Sequence, residues 1–182
     1  MRSETQVLQK TSLIRLVEQQ DIKSLARVHV DCWCETYRGI VPEEYLHSLK
    51  YRDRQAMWEK LLPRRVSSGA TYVVIGEEDD VVGFADCGPA REHEHGISGE
   101  LYAIYLLKRY QGLGLGLELF ESIKSSFAKL GHDSFYLWVL RDNPTKRFYE
   151  KVGGKYLKSQ PVDIGGVELI EDLYYWELEK HI

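Results

Sequence analysis

The hydrophobic pattern of the chain changes abruptly between residues 99 and 130. A nearly all-apolar run from Leu101 to Leu107 predicts a strand that is buried on both faces. Apolar residues then recur every three or four positions, as on one face of a helix. These positions are Leu113, Leu117, Phe120, Ile123, Phe127 and Leu130. We therefore predict a strand, a tight turn and a helix in that order.

Shorter patterns predict the elements before this unit. The first is a strand over 13–17, followed by a helix that Asp21 caps and that ends by Gly39. A helical turn over 42–46 and a helix over 53–62, which Pro63 stops, come next. A hairpin of strands 71–75 and 81–85 follows. The polar segment 88–98 is expected to be a surface loop. Residues 1–11 are polar, and we expect them to be flexible.

The C-terminal part of the chain alternates between strand and helix patterns. Apolar residues 135–140 predict a strand, 146–151 a short helix, and 156–164 with 167–178 a hairpin around Gly165 and Gly166. This order predicts an α+β fold with a mixed, mostly antiparallel sheet of about seven strands and flanking helices. One parallel pair of strands is expected around the central helix.

Length and composition indicate one globular domain over residues 1–182, since 43% of the residues are hydrophobic. The formal net charge of −4 argues against a nucleic-acid partner, because binding phosphates requires a basic surface. The same charge is compatible with a cationic amine as substrate. The oligomeric state is left open, with a homodimer as one alternative.

The cysteines, histidines and N-terminal residues favour a cytoplasmic protein without a metal. Cys32, Cys34 and Cys87 are odd in number and form no C-x-x-C pair, so neither a disulfide framework nor a zinc site is indicated. His93 and His95 form an H-x-H pattern without a defined further ligand, and we interpret them as polar surface residues. No signal-like leader or long apolar run is present, which argues against a membrane partner.

The glycine-rich turn before the central helix is suited to an anion. Gly112, Gly114 and Gly116 lie where the first helical N–H groups have no internal partner. The spacing matches neither the dinucleotide-binding fingerprint nor the P-loop. The alternative is that these glycines only let the helix pack closely on its strand.

Two motifs together resemble the GNAT superfamily of acetyl-CoA-dependent N-acetyltransferases. The first is Q-x-x-G-x-G from Gln111 to Gly116, and the second is W-V-L-x-x-N with F-Y-E-K-x-G-G, from Trp138 to Asn143 and from Phe148 to Gly154. The resemblance implies a fold in which the two central strands splay apart and acetyl-CoA, with no metal, enters the gap. Many relatives have one more residue between the asparagine and the tyrosine.

The resemblance also implies which residues bind acetyl-CoA. Main-chain groups of the central strand would contact pantetheine, amides of the glycine loop would bind the pyrophosphate, and Asn143 would approach the pantetheine arm. The implied residues are Ile104, Tyr105, Leu106, Gln111, Gly112, Leu113, Gly114, Leu115, Gly116, Leu117, Asn143 and Tyr149. Tyr149 would lie at the thioester sulfur and protonate the leaving thiolate, and the N–H of Leu106 would bind the oxyanion.

Acetyl transfer to an amine requires loss of a proton from the ammonium group. Glu100 is the first candidate for the base, by resemblance and through a water molecule, and Asp86 is the second. Either acid has the alternative of a structural ion pair. We expect direct transfer in a ternary complex, because no cysteine lies at a position that the resemblance marks as nucleophilic.

The resemblance implies that the acceptor side of the cleft includes Trp33, Tyr37 and Arg38 from the first helix and its following loop, and we add Asp86. The alternative is a helix end with the two aromatic residues in the core and Arg38 at the surface. The acceptor is a small-molecule amine or a protein amino group, and no motif decides between them. A non-catalytic sensor or regulatory module that binds CoA or acyl-CoA is the alternative function. Such a module would need neither a base at Glu100 nor an acid at Tyr149.

Overall fold

The computed structural model of the protein describes residues 13–178, so the expectation for residues 1–11 lies outside the described residues. The strands are β1 (Leu13–Leu16), β2 (Ala70–Ile75), β3 (Val81–Glu94), β4 (Ile97–Leu106), β5 (Ser134–Leu140), β6 (Lys155–Ile164) and β7 (Val167–Glu177). The helices are α1 (Ile22–Tyr37), α2 (Glu43–Ser48), α3 (Tyr51–Ser68), α4 (Leu115–Lys129) and α5 (Lys146–Lys151). None of these helices is long and apolar enough to span a bilayer.

Within residues 13–178 the strands form one sheet in the order β1-β2-β3-β4-β5-β7-β6. Strands β4 and β5 are parallel, and the other neighbours are antiparallel. The parallel pairing is short, since it joins only Gly99 to Phe135 and Glu100 to Tyr136. Beyond these pairs the two strands separate. The predicted α+β fold, with its mostly antiparallel sheet and splayed central pair, is confirmed.

Helices cover both faces of the sheet. Helix α4 packs on one face through Leu119, Phe120, Ile123 and Phe127, all of which are fully buried. Helices α1 and α3 pack on the other face, where Trp58 lies against Phe84 of β3. The buried areas of these apolar side chains supply the main stabilisation of the fold.

A β-bulge in β4 changes which side chains face each layer. Asp86 pairs with Ala103 while Cys87 pairs with Leu101, which leaves Tyr102 as the extra residue. Leu101 packs in the core beneath α4, whereas Ala103 packs on the α1 side. The bulge thus re-aims the C-terminal half of β4.

Helix α3 does not stop at Pro63, and this prediction was wrong. The helix continues to Ser68, with Pro63 exposed inside it. Proline removes one N–H donor from a helix but does not prevent its continuation when other contacts hold the next turn. Here Arg65, two residues on, donates to the Asp86 carboxylate on β3 through Nε at 2.7 Å and Nη2 at 2.8 Å.

Residues 88–98 were predicted to be a loop, and this prediction was also wrong. They extend β3 and β4 into an arm that turns at His95 and Gly96, whose φ angles are 48° and 78°. Two consecutive left-handed residues suit a tight hairpin turn. The sequence of this arm is polar because much of it is exposed, and polarity alone does not distinguish an exposed hairpin from a loop.

The apolar face of α4 was only partly predicted. Phe120, Ile123 and Phe127 are buried as expected, but Leu113, Leu117 and Leu130 are 57%, 49% and 39% exposed. Leu113 precedes the helix, which begins at Leu115, and Leu130 follows its last residue. Leu117 borders an open cleft between β4 and β5, so its exposure follows from the separation of the strands.

His29 of α1 is buried beneath this cleft. Its ring stacks on Tyr105 with centroids 6.1 Å apart and lies 5.2 Å from Phe84, and its Nδ1 has no hydrogen-bond partner among the described residues. Burial, assisted by the charge of Arg54, lowers the pKa of His29 to about 3. The neutral imidazole is therefore the form that the folded protein accommodates.

We predict that His29 makes the free energy of unfolding depend on pH. Between the ordinary pKa of 6.5 and about 3 the unfolded chain binds a proton that the folded chain excludes. Stability should therefore fall as the pH falls through this window, by about 1.4 kcal/mol per pH unit. Urea unfolding at several pH values should show a flatter profile for His29→Leu. His47→Gln, at an exposed histidine, should keep the wild-type slope, and an unchanged slope in His29→Leu would contradict the prediction.

Candidate functional site

The main candidate site is a cleft that opens where β4 and β5 separate. Its volume is about 410 Å³, and it reaches from the start of α4 to the end of α1. Ten of the twelve predicted cofactor residues line it, namely Ile104, Tyr105, Leu106, Gln111, Gly112, Gly114, Gly116, Leu117, Asn143 and Tyr149. Leu113 and Leu115 do not, because Leu113 points to solvent and Leu115 is buried in the core.

The glycine loop forms the mouth of the cleft beside the first turn of α4. Gly112 and Gly114 have φ angles of 76° and 87°, which glycine adopts without the steric cost that other residues meet. The first N–H groups of a helix lack internal partners and favour negative charge. Gln111 donates from Nε2 to the carbonyl of Leu106 at 3.0 Å, which ties the loop to the end of β4.

A cation also borders the cleft near this mouth. Lys151, the last residue of α5, lines the cleft together with Phe148. The sequence analysis did not select Lys151, although it lies within the second motif. The loop amides and this ammonium group make this end of the cleft suited to a phosphate group.

Tyr149 carries a buried hydroxyl group of the cleft, with 6% of the residue surface exposed. Burial raises the pKa of Tyr149, and the nearby Tyr37 hydroxyl acts in the same direction. The phenol is therefore neutral at physiological pH and keeps its proton available for donation.

Asn143 lines the cleft, but its side chain is largely engaged within the protein. Its Oδ1 accepts from the backbone N–H of Thr145 at 2.9 Å and from the Thr145 hydroxyl at 2.7 Å. Its Nδ2 donates to the Tyr37 hydroxyl at 3.4 Å, and Tyr37 lies 3.1 Å from the Tyr105 hydroxyl. Asn143 thus connects α1, β4 and the segment after β5 across the cleft.

Glu100, the first candidate for the base, does not line the cleft. Its side chain is 1% exposed and accepts from the backbone N–H of Arg91 at 2.9 Å, from Arg91 Nε at 3.0 Å and from the Tyr136 hydroxyl at 3.2 Å. Arg91 Nη2 contacts the same carboxylate. The carboxylate is satisfied by these donors, so the geometry supports the structural alternative.

Asp86 has the same kind of environment. In addition to Arg65, the Thr71 hydroxyl donates to its carboxylate at 2.7 Å, and the residue is 3% exposed. Asp86 does not line the cleft either. Its predicted contact with the acceptor is therefore not supported by the geometry.

Among the described residues that line the cleft, none is a carboxylate or a histidine. The ionisable side chains there are Lys151 and four tyrosines, at positions 37, 102, 105 and 149. Hydroxyl groups and main-chain amides therefore supply most of the polar groups around the cleft.

Of the three residues predicted from the first helix, Tyr37 lines the cleft. Trp33 does not line the cleft but packs behind Tyr37, with ring centroids 4.7 Å apart. Arg38 is exposed and borders a separate cavity of about 670 Å³ between the α1–α2 segment and Val167.

Sequence reasoning missed Trp138, which lines the cleft. Alternation along β5 could have identified it, since Tyr136 and Trp138 lie on the face opposite Leu137.

The family comparison supports the resemblance seen in the motifs. The model of the "Acetyltransferase (GNAT) family" matches residues 28–154. An uncharacterized N-acetyltransferase of Bacillus subtilis, YuaI, is 36% identical over 158 residues, which are 87% of this chain and 88% of that protein. An uncharacterized N-acetyltransferase of Archaeoglobus fulgidus is 30% identical over 140 residues, which are 75% of this chain and 88% of that protein.

Solved structures share the fold. The PaiA N-acetyltransferase of Thermoplasma acidophilum, solved with coenzyme A, has a TM-score of 0.69 and 26% identity, with 89% of this chain and 98% of that chain covered. YncA of Salmonella typhimurium, solved with acetyl-CoA, has a TM-score of 0.72 and 18% identity, with 95% and 97% covered.

Proposed function

The chain belongs to the GNAT acetyltransferase family, and we propose that it transfers the acetyl group of acetyl-CoA to a primary amine by direct attack in a ternary complex. The observation that carries this proposal is the cleft between β4 and β5, which connects the glycine loop at one end to Tyr37 and Trp138 at the other. Cofactor and acceptor can enter such a cleft from opposite ends and meet inside the sheet.

The cofactor binds along β4 and at the start of α4. Beyond Glu100 the edge of β4 that faces β5 has no strand partner among the described residues, and an extended pantetheine arm can hydrogen-bond to it as an added strand does. The pyrophosphate binds the loop amides, and Lys151 contributes a positive charge beside it. The Thermoplasma acidophilum relative was solved in complex with coenzyme A, which supports coenzyme A as the kind of ligand.

The oxyanion is stabilised by the backbone of Leu106. Leu107 donates its N–H to Val82 on β3 at 3.0 Å. Successive N–H groups along a strand point to opposite edges, so the N–H of Leu106 points towards the gap. As the neutral amine attacks the thioester carbonyl, this donor stabilises the negative charge on the oxygen.

Tyr149 acts as the acid when the C–S bond breaks. The phenol donates its proton to the leaving thiolate, the acetyl group remains on nitrogen as an amide, and nitrogen releases its extra proton to solvent. Tyr149 then regains a proton from solvent. This sequence requires an amine that has lost its proton before attack, because a protonated amine has no free electron pair.

Free-thiol release tests the reaction class. Protein mixed with acetyl-CoA and a panel of diamines, amino acids, aminoglycosides and peptides should release coenzyme A at a rate that depends on the amine. Mass spectrometry should find one acetyl group on the amine. Release that is independent of every amine, together with tight acetyl-CoA binding, would instead favour a module that binds the cofactor without transfer.

Tyr149→Phe should lower kcat by about 100-fold. This effect is at the lower end of the range of rate losses expected when a general acid is removed, because a thiolate is a good leaving group. The Kd for acetyl-CoA, measured by calorimetry, should stay within about twofold. Tyr174→Phe is the matched control, because the Tyr174 hydroxyl is bonded to Glu150 and lies outside the cleft. A kcat of Tyr149→Phe equal to that of the control would remove Tyr149 from the acid role.

The acidic limb of the kcat/KM profile should follow the pKa of the acceptor. The described lining residues include no carboxylate or imidazole, so the free-amine fraction in solution should limit the reaction. Acceptors of similar shape with different amine pKa values should shift the limb by the difference between those values. A limb that stays at one pH for all acceptors would show that a group on the enzyme takes the proton.

A further inference from the structure

Each buried carboxylate of the described chain is paired with an arginine, whereas the half-buried carboxylate of Glu171 is not. The buried acids are Asp21, Asp86, Glu100 and Asp172, and each forms a salt bridge with an arginine. Glu171 of β7 is half-buried, yet among the residues whose side chains the structure describes, which are 13–92 and 95–178, no lysine, arginine or histidine nitrogen lies within 4.0 Å of its carboxylate. Its bonded partner is the neutral amide of Gln160, whose Nε2 donates at 2.8 Å.

The position of Glu171 is fixed by the register of the sheet. Glu171 pairs directly with Leu140 of β5, and directly paired side chains of antiparallel strands lie on the same face. Leu140 packs in the same cluster as Tyr37, and Tyr37 lines the cleft. In the next row, Trp138 pairs with Leu173 and also lines the cleft. Glu171 therefore lies on the same face of the sheet as Leu140 and Trp138, one row away from the part of β5 where Trp138 lines the cleft.

Charged groups from the neighbouring strands lie around this position. Arg91 and Glu92 of the β3–β4 arm and Glu100 of β4 are its electrostatic neighbours, with opposing effects on its charge. Lys158 of β6 places its ammonium 5.5 Å from the Trp138 ring centroid in the adjacent row. Partial burial outweighs the other contributions and raises the pKa of Glu171. A partly desolvated carboxylate with a neutral partner gains more from a cation than an exposed one does.

We infer that Glu171 binds a second positively charged group of the acceptor, separate from the amine that reacts. Two observations separate this group from the reacting nitrogen: Glu171 does not line the cleft, and the reacting nitrogen must be uncharged. The acceptor is thus an amine that carries another cation, such as a diamine or a basic side chain. This inference rests on the proposed acetyl transfer.

The test compares two acceptors that differ at one end, diaminopentane and aminopentanol. Both present the same reactive amine, but the far end is an ammonium group in one and a hydroxyl in the other. Glu171→Gln keeps an oxygen that accepts from Gln160 and removes the charge. Glu168→Gln, at an exposed acid on the same strand, is the matched control.

In Glu171→Gln the KM for diaminopentane should rise about tenfold or more, which is the usual contribution of a hydrogen bond to a charged group. The KM for aminopentanol and for acetyl-CoA should change less than about twofold, and Glu168→Gln should resemble the wild type for both acceptors. Added salt should weaken the preference of the wild type for the diamine. A loss equal for both acceptors, or no loss, would overturn the inference.

Calorimetry of diaminopentane binding to the protein saturated with coenzyme A separates this inference from the proposed reaction. Binding that weakens about tenfold in Glu171→Gln, without thiol release from acetyl-CoA, would support the cation site and contradict the transferase proposal. Acetylation with no effect of Glu171→Gln would do the reverse. A wild-type protein that neither binds nor acetylates diaminopentane would overturn the inference about Glu171.

Discussion

The structure depends on the point at which β4 and β5 stop pairing. Glu100 and Tyr136 form the last pair, and their side chains also hold this point together. The Glu100 carboxylate accepts hydrogen bonds from Arg91 on β3 and from Tyr136 on β5, so one buried group joins three strands. The bulge at Tyr102 then redirects β4, and the cleft opens from a fixed vertex.

Packing beneath this vertex directs helix α4 towards the mouth of the cleft. A Cβ atom on Gly99 would lie 2.7 Å from the Phe127 ring and 3.1 Å from the Phe135 Cβ, so only glycine fits there without displacement. Phe127 belongs to the last part of α4 and stacks on Phe135 with centroids 4.6 Å apart. Because this end of α4 is anchored below the vertex, its N-terminus lies at the open end, where the glycine loop can present its amides.

The distribution of charge separates the groups that hold the fold from those available for chemistry. Each buried acid of the described chain is matched to an arginine, and the polar lining of the cleft consists mostly of tyrosines, an asparagine and main-chain groups, with Lys151 as its one charged residue among those described. Such a lining suits an uncharged amine and a thioester, because no fixed charge near the thioester carbonyl opposes the approach of the neutral amine or its attack. The charge of the acceptor is then met outside the cleft, where Glu171 lies.

Local patterns predicted most of the order of elements, since periodicity and glycine placement act over a few residues, whereas the splayed pair and the residues of the cleft were implied by the resemblance of two motifs to the family. Local patterns did not reveal the ion pair between Glu100 and Arg91. The arm over 88–98 is polar and was interpreted as a loop, so Arg91 was not placed beside Glu100. Because the arm consists of two paired strands, Gly88 pairs with Glu100. Arg91 then lies close enough to donate several hydrogen bonds to the Glu100 carboxylate. Whether an acid at a strand end can act as a base or forms a structural ion pair thus depends on which residue lies beside it on the neighbouring strand. The strand register decides which residue that is, and patterns in a single sequence do not contain the register.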